Sequence, residues 1–148
     1  MHIYVIFAHP SKRSFSRSVL DAFTKGLKEA GHSYEIADLY EMGFQSEMDE
    51  TQYFRETSGS PNLPVPGDVE TEQAKINRAG GLAFVYPVWW SDCPAKLKGW
   101  FDRVLTCGYA YKRSAGNGDM ELLFHLGGSW RAVPEPLSLA NQERNSDT

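Results

Sequence analysis

The chain opens with an unbroken apolar run, HIYVIFA over residues 2–8, rich in β-branched and aromatic side chains. A strand covered on both faces reads this way, as in a parallel sheet. His9-Pro10 ends the run, and a turn rich in hydroxyls and bases follows over residues 11–18. From Phe15 to Ala30 the period changes. Val19, Leu20, Phe23, Leu27 and Ala30 recur at steps of three and four, which predicts an amphipathic helix stopped by Gly31. Ser33–Leu39 (SYEIADL) alternates in part and reads as a second strand. Strand, turn, helix and strand in this order make a βαβ unit with a right-handed crossover.

Residues 40–68 carry Gly59, Pro61, Pro64, Pro66 and Gly67 among acids and hydroxyls, the pattern of a long functional loop. The acids Glu47, Asp49, Glu50 and Glu56 are expected to face solvent there. Val69–Ala79 predicts a short helix closed by Gly80-Gly81, and Leu82–Val88 (LAFVYPV) a strongly apolar strand. Pro94 suits a first helical turn. Ala95–Leu105 then sets Leu97, Phe101, Val104 and Leu105 on one face, so a second βα unit is expected. Residues 112–119 are polar and turn-like, and Met120–Leu126 (MELLFHL) reads as a short strand running into Gly127-Gly128-Ser129. Residues 130–148 have no periodicity and read as a poorly ordered tail. The expected organisation is one α/β domain over residues 1–129 followed by that tail.

Length and composition narrow the class. At 148 residues there is room for one domain with a real core, and 13% aromatic residues exclude general disorder. No stretch approaches the roughly 20 apolar residues of a bilayer span. No charged residue precedes the first apolar run, so it does not read as a signal peptide. A net charge of −4 with no basic stripe argues against a protein that holds nucleic acid through phosphates. Cys93 and Cys107 are too few for a disulfide scaffold, and no His, Cys or carboxylate set has metal-ligand spacing. Two free thiols fit a reducing cytoplasm.

Two loops carry the candidate chemistry. Ligands of open α/β sheets bind outside the carboxyl ends of the strands. The run His9-Pro10-Ser11-Lys12-Arg13-Ser14-Phe15-Ser16-Arg17-Ser18 leaves the first strand and enters a helix N-terminus, where unpaired N–H groups and the dipole favour an anion. Ser14, Ser16 and Ser18 add hydroxyls; His9, Lys12 and Arg13 add positive or polarisable groups. Phosphate suits this set, and a plain helix cap explains the serines equally well. There is no GxGxxG and no Walker pattern. The second loop is Tyr86-Pro87-Val88-Trp89-Trp90-Ser91-Asp92-Cys93-Pro94. Neighbouring strand side chains face opposite ways, so two adjacent tryptophans cannot both enter one core. One of them is expected to wall a pocket for a planar ring, the alternative being that both cover core edges. Cys93, near a helix start, is expected to be a buried inert thiol. His32 and His125 show no partners in the sequence.

These residues resemble a known family. Ala8-His9-Pro10 with Ser14-Phe15-Ser16, then Asp38-Leu39-Tyr40, then Tyr86-Pro87-Val88-Trp89-Trp90 with Pro94-Ala95-Lys96-Leu97-Lys98-Gly99-Trp100-Phe101-Asp102-Arg103-Val104-Leu105 and Gly108-Tyr109-Ala110-Tyr111 are similar to the flavodoxin-like NAD(P)H:quinone oxidoreductases. The likeness covers residues 1–111. It implies a flavodoxin-like, doubly wound parallel sheet in an α/β/α sandwich, with FAD, or alternatively FMN, at its carboxyl edge. It implies that His9, Phe15, Ser16 and Ser18 hold the phosphate or pyrophosphate, and that Pro87, Val88, Trp89, Trp90 and Ser91 meet the isoalloxazine ring. Gly127 and Gly128 match the family's glycine pair beside the flavin, with His125 and Leu126 where threonines are common. Trp90 and Tyr111 fall at the substrate side, Tyr111 closing the pocket of a homodimer partner.

The implied function is two-electron transfer from NAD(P)H through a flavin to a quinone or similar flat acceptor, in the cytoplasm, without membrane insertion. No acid–base pair is then required, because the cofactor carries the chemistry. A fifth strand and last helix are not expected after Gly128, nor is the tyrosine that follows the family's glycine pair. Two other readings remain: a flavin-binding regulatory subunit of an efflux system, and a catalytically inactive flavodoxin-like module.

Overall fold

The computed structural model describes residues 1–60, 62–113 and 120–122. Three strands, β1 (His2–Phe7), β2 (Ser33–Asp38) and β3 (Gly81–Val85), form a parallel sheet in the order β2-β1-β3. Register is continuous, with Phe7 opposite Asp38 on one side and Val85 on the other. The helices are α1 (Phe15–Glu29), α2 (Glu50–Ser58), α3 (Gly67–Arg78) and α4 (Ala95–Val104). A further pair, β4 (Tyr111–Arg113) and β5 (Met120–Leu122), is antiparallel.

The apolar run of β1 is explained by what covers it. Tyr4, Ile6 and Ala8 pack with Ile76 of α3 and Leu97, Trp100 and Val104 of α4. Val5 and Phe7 face the other way, onto Leu20 and Leu27 of α1. Alternate residues of one strand thus feed two cores, and the molecule is a three-layer α/β/α sandwich. Full burial of a valine, leucine, isoleucine or phenylalanine here contributes about 1.5–3 kcal/mol.

Within α1 the buried face is Ser16, Leu20 and Thr24, with Thr24 Oγ1 donating to the Leu20 carbonyl at 2.9 Å. Phe23, expected on the apolar stripe, is 38% exposed. It lies at the edge of the stripe, on the side of Leu20 away from Thr24, so the face centred on Ser16, Leu20 and Thr24 leaves it partly open to solvent.

Five further expectations are corrected. Residues 40–68 are not one loop, because α2 occupies their centre. Asp49 caps it, accepting the Gln52 N–H at 2.7 Å, and Gly59 closes it in the left-handed region at φ 61. Pro94 is the N-cap of α4 and not part of its first turn, and α3 begins at Gly67. Tyr111–Arg113 is strand where the turn-like polar stretch was expected to begin. Met120–Leu122 is strand as expected, but it pairs with β4 and not with the parallel sheet. Leu123–Leu126 and residues 130–148 lie outside the described residues.

The segment between β2 and α2 crosses α4, and Gly99 makes the crossing possible. A Cβ on Gly99 would overlap the Ser46 carbonyl oxygen and lie 2.5 Å from Ser46 Cβ. Lys96 Nζ donates to the Phe44 carbonyl at 2.8 Å and fixes the crossing from the other side.

Candidate functional site

The direction of winding changes at β1. The chain passes over one face through α1 to reach β2, then returns past β1 through α3, on the opposite face, to reach β3. The crevice outside the carboxyl ends of β1 and β3 is where such a sheet takes ligands. The loops after these two strands are the ones singled out by sequence.

In the first loop, His9 is half-buried and its Nδ1 accepts the Ser11 N–H at 2.9 Å. Nδ1 thus faces the Ser11 backbone, whose carbonyl oxygen lies 3.2 Å from it, and Nε2 is the ring nitrogen left to meet a ligand. Ser14 is the N-cap of α1, its Oγ accepting the Arg17 N–H at 3.1 Å. The cap explanation therefore takes Ser14 and releases the others. Ser16 is buried in the first turn, Ser18 is exposed, and Phe15 is 52% exposed. The first-turn N–H groups of Phe15 and Ser16 have no acceptor within the helix.

Two of the bases here, Lys12 and Arg17, are paired with acids. Lys12 Nζ donates to Glu41 Oε1 at 2.8 Å, and Arg17 meets Asp21 at 3.2 Å and Asp38 at 3.9 Å. The Lys12 hydrogen bond holds the Glu41 carboxyl below its ordinary range and raises the Lys12 ammonium.

The second loop is a two-residue turn. Trp89 N–H donates to the Asp92 carbonyl at 2.8 Å, and Asp92 N–H returns to Trp89 at 3.1 Å. Between them Trp90 and Ser91 both sit in the left-handed region, at φ 51 and 66. Left-handed geometry at both centres is that of a type I′ turn, which costs non-glycine residues on the order of 1 kcal/mol each. The strain presents Trp90 to solvent at 102% of its reference exposure, while Trp89 and Val88 are half-exposed and Pro87 is buried. Trp90 therefore covers no core edge.

The two loops meet. The His9 and Trp89 rings lie edge to face, with centroids 6.0 Å apart and planes at 62°. A helix N-terminus with hydroxyl and imidazole donors thereby adjoins a flat apolar wall. Such a pair suits a ligand with an anionic end and a planar ring.

Other expectations fare differently. Cys93 is half-buried, and burial together with the Asp92 carboxylate pushes its thiol up, so it is not an activated nucleophile. Tyr111 is not brought to the two loops; it follows the far end of α4, and its hydroxyl donates to Glu56 Oε2 at 3.1 Å. Gly127, Gly128 and His125 lie outside the described residues. Glu47, Asp49 and Glu50 are at the surface, but Glu56 is buried, against expectation, because it pairs with Arg55 and accepts the Cys107 N–H at 2.7 Å.

Sequence reasoning missed the polar interior beneath α2, α3 and α4. Arg103 binds Asp68 with two nitrogens, at 2.5 and 3.0 Å, and donates to Gln52 Oε1 at 3.1 Å. Glu72 accepts Tyr4 Oη at 2.5 Å, Trp100 Nε1 at 2.8 Å and Lys75 Nζ at 2.9 Å. The available signal was the cap pattern Asp49-x-x-Gln52 with Gly59 beyond, which marks α2 and sets Gln52, Arg55 and Glu56 on one face.

Comparison with known proteins agrees with this geometry. The flavodoxin-like fold family matches residues 1–129. A solved NAD(P)H:quinone oxidoreductase from Methanothermobacter marburgensis superposes with a TM-score of 0.75 at 62% identity, covering 76% of this chain and 56% of the other. General stress protein 14 of Treponema denticola, solved in complex with FMN, gives a TM-score of 0.52 at 25% identity, covering 76% and 52%. An uncharacterised NAD(P)H oxidoreductase of Haemophilus influenzae is 38% identical over 117 residues, 78% of this chain and 56% of the relative. The chain spans about half the length of the curated relatives it matches. From the sheet order, the paired loops and the match over residues 1–129, the chain belongs to the flavodoxin-like fold family.

Proposed function

We propose that this chain is a flavin-dependent oxidoreductase that takes two electrons from NAD(P)H and passes them to a quinone or similar flat acceptor. The observation that carries the reading is the His9–Trp89 contact, which makes one crevice of the anion-favouring helix start and the aromatic turn. The names of the relatives support it: NAD(P)H:quinone oxidoreductase for the 62% identical structure, and an FMN complex for a second neighbour.

In this reading the flavin domain is residues 1–129. His9 Nε2, the hydroxyls of Ser16 and Ser18 and the first-turn N–H groups of α1 hold the phosphate of FMN or the pyrophosphate of FAD, with Phe15 beside them. Pro87, Val88, Trp89, Trp90 and Ser91 orient the ring; Gly127 and Gly128, which the resemblance assigns to the same ring, lie outside the described residues. The flavin, when bound, supplies the hydride and electron chemistry. The protein's part is to place the nicotinamide at stacking distance and to exclude water. Trp90 serves that end on its own subunit, and Tyr111 serves the partner's pocket in a homodimer. No described helix is long and apolar enough to cross a membrane; the site of action in this reading is the cytoplasm.

The test is anaerobic. The purified protein loaded with FMN or FAD is mixed with NADH or NADPH, and the bleached visible band should return on one equivalent of quinone. Bound flavin that neither nucleotide bleaches favours a regulatory subunit. Failure to bind either flavin favours an inactive module.

A further inference from the structure

The buried pair Arg55–Glu56 has no part in the crevice, yet it organises the segment that carries Tyr111. Arg55 Nη1 meets Glu56 Oε1 at 2.5 Å, and both residues are under 10% exposed. Arg55 Nε donates to the Leu63 carbonyl at 2.9 Å and Nη2 to the Cys107 carbonyl at 3.2 Å. Glu56 Oε2 accepts the Cys107 N–H at 2.7 Å and the Tyr111 hydroxyl at 3.1 Å. Both backbone groups of Cys107 and the phenol four residues later are therefore held by one ion pair. A tight turn closes the interval, with Gly108 at φ 84 and its N–H donating to the Tyr111 carbonyl at 2.7 Å.

We infer that Glu56 is a positioning residue for Tyr111: its carboxylate, set by Arg55, fixes the phenol ring in the orientation that a flat acceptor meets. A buried charged acceptor suits this role, because a charge-assisted hydrogen bond is directional and stronger than a neutral one. The pair also explains why two charges are buried in a helix whose tyrosine and phenylalanine, Tyr53 and Phe54, are exposed. The inference rests on the reading of Tyr111 as a pocket wall, and the experiment separates the two.

The variants are Glu56→Gln, Tyr111→Phe, Tyr111→Ala and the double variant Glu56→Gln/Tyr111→Phe, all in the flavin-loaded full chain. Labelling with 3-fluorotyrosine gives one ¹⁹F resonance per tyrosine, and Tyr111→Phe assigns the relevant one. Glu56→Gln should shift and broaden that resonance. It should also raise the KM for quinone about threefold to tenfold, the worth of one hydrogen bond, with kcat nearly unchanged. Tyr111→Phe should do the same from the other end without touching Arg55. The double variant should be no worse than either single one. A lowered melting temperature with an unmoved resonance and unmoved KM makes Glu56 merely structural and overturns the inference. Additive effects in the double variant overturn it too. If Tyr111→Ala leaves the quinone KM unchanged, the pocket-wall reading falls and the inference falls with it. If Tyr111→Ala raises KM while Glu56→Gln does not, only the inference falls.

Discussion

His9 and Trp89, eighty residues apart in sequence, touch edge to face at 6.0 Å between ring centroids. The contact exists because β1 and β3 are parallel neighbours in register, Phe7 opposite Val85, so the loops that leave them rise side by side. One loop begins a helix and the other makes a strained turn. Their meeting turns two ordinary loop segments into one site.

The turn should show the cost of its geometry. Ser91→Gly supplies a residue that accepts φ 66 without strain and should stabilise the flavin-free protein by roughly 1 kcal/mol. Trp90→Gly should stabilise it similarly and weaken flavin binding, since it removes the exposed indole as well. Chemical denaturation of the two variants beside the parent checks the first statement, and flavin titration checks the second. Loss of stability in both would show that the turn is not strained.

Two glycines should respond oppositely to alanine. Gly99→Ala places a methyl group against the Ser46 backbone, and moving the crossing segment should cost about 1–3 kcal/mol. Gly26→Ala, in α1 with nothing within 4 Å of the new carbon, should gain roughly 0.4–1 kcal/mol. Urea midpoints of the pair read both signs in one experiment.

Asp68 should set part of the acid limb of stability. The Arg103 guanidinium, through its hydrogen bonds, holds this carboxyl below its ordinary range. A carboxyl whose pKa is lowered in the folded state contributes stability above its unfolded value of about 3.9. That contribution is lost as pH falls through the lower folded value. Asp68→Asn should therefore be less stable than the parent at neutral pH, with the gap closing under acid. A constant gap from pH 7 down to pH 2, about two units below the unfolded value, would show that the ion pair is not the cause.

Removing one end of the Glu72 cluster tests the polar interior. Tyr4→Phe deletes a buried hydroxyl whose partner retains the Trp100 and Lys75 donors, and should cost about 1–2 kcal/mol. Glu72→Ala strands all three donors and should cost about 3–5 kcal/mol. Equal costs for both would contradict a shared acceptor.

The three strands of the parallel sheet and α1, α3 and α4 were legible from their apolar patterns: β1 is apolar on two faces, and α4 repeats Leu97, Trp100, Phe101 and Val104 onto the sheet. The loops at the carboxyl ends were legible for the same reason, since the strand ends place them. What escaped was buried polarity. Gln52, Arg55 and Glu56 form the inner face of α2, whereas Tyr53 and Phe54 point outward, so a hydrophobicity reading inverts this helix. Partners such as Leu63, Cys107 and Tyr111, which make that face possible, are distant or irregular in sequence. The left-handed pair at Trp90 and Ser91 was illegible too, because neither residue type favours it and only the Trp89–Asp92 pairing imposes it.

The most direct test of the site is tryptophan emission during titration of the flavin-free protein with FMN and, separately, FAD. A flavin seated between the His9 loop and the turn lies against Trp89 and Trp90, whereas Trp100 is sealed in the core. The account predicts saturable quenching by one equivalent of at least one of the two flavins, with a smaller amplitude and weaker binding in Trp90→Ala. Emission that ignores both flavins, or a quench of equal size in parent and Trp90→Ala, would contradict it.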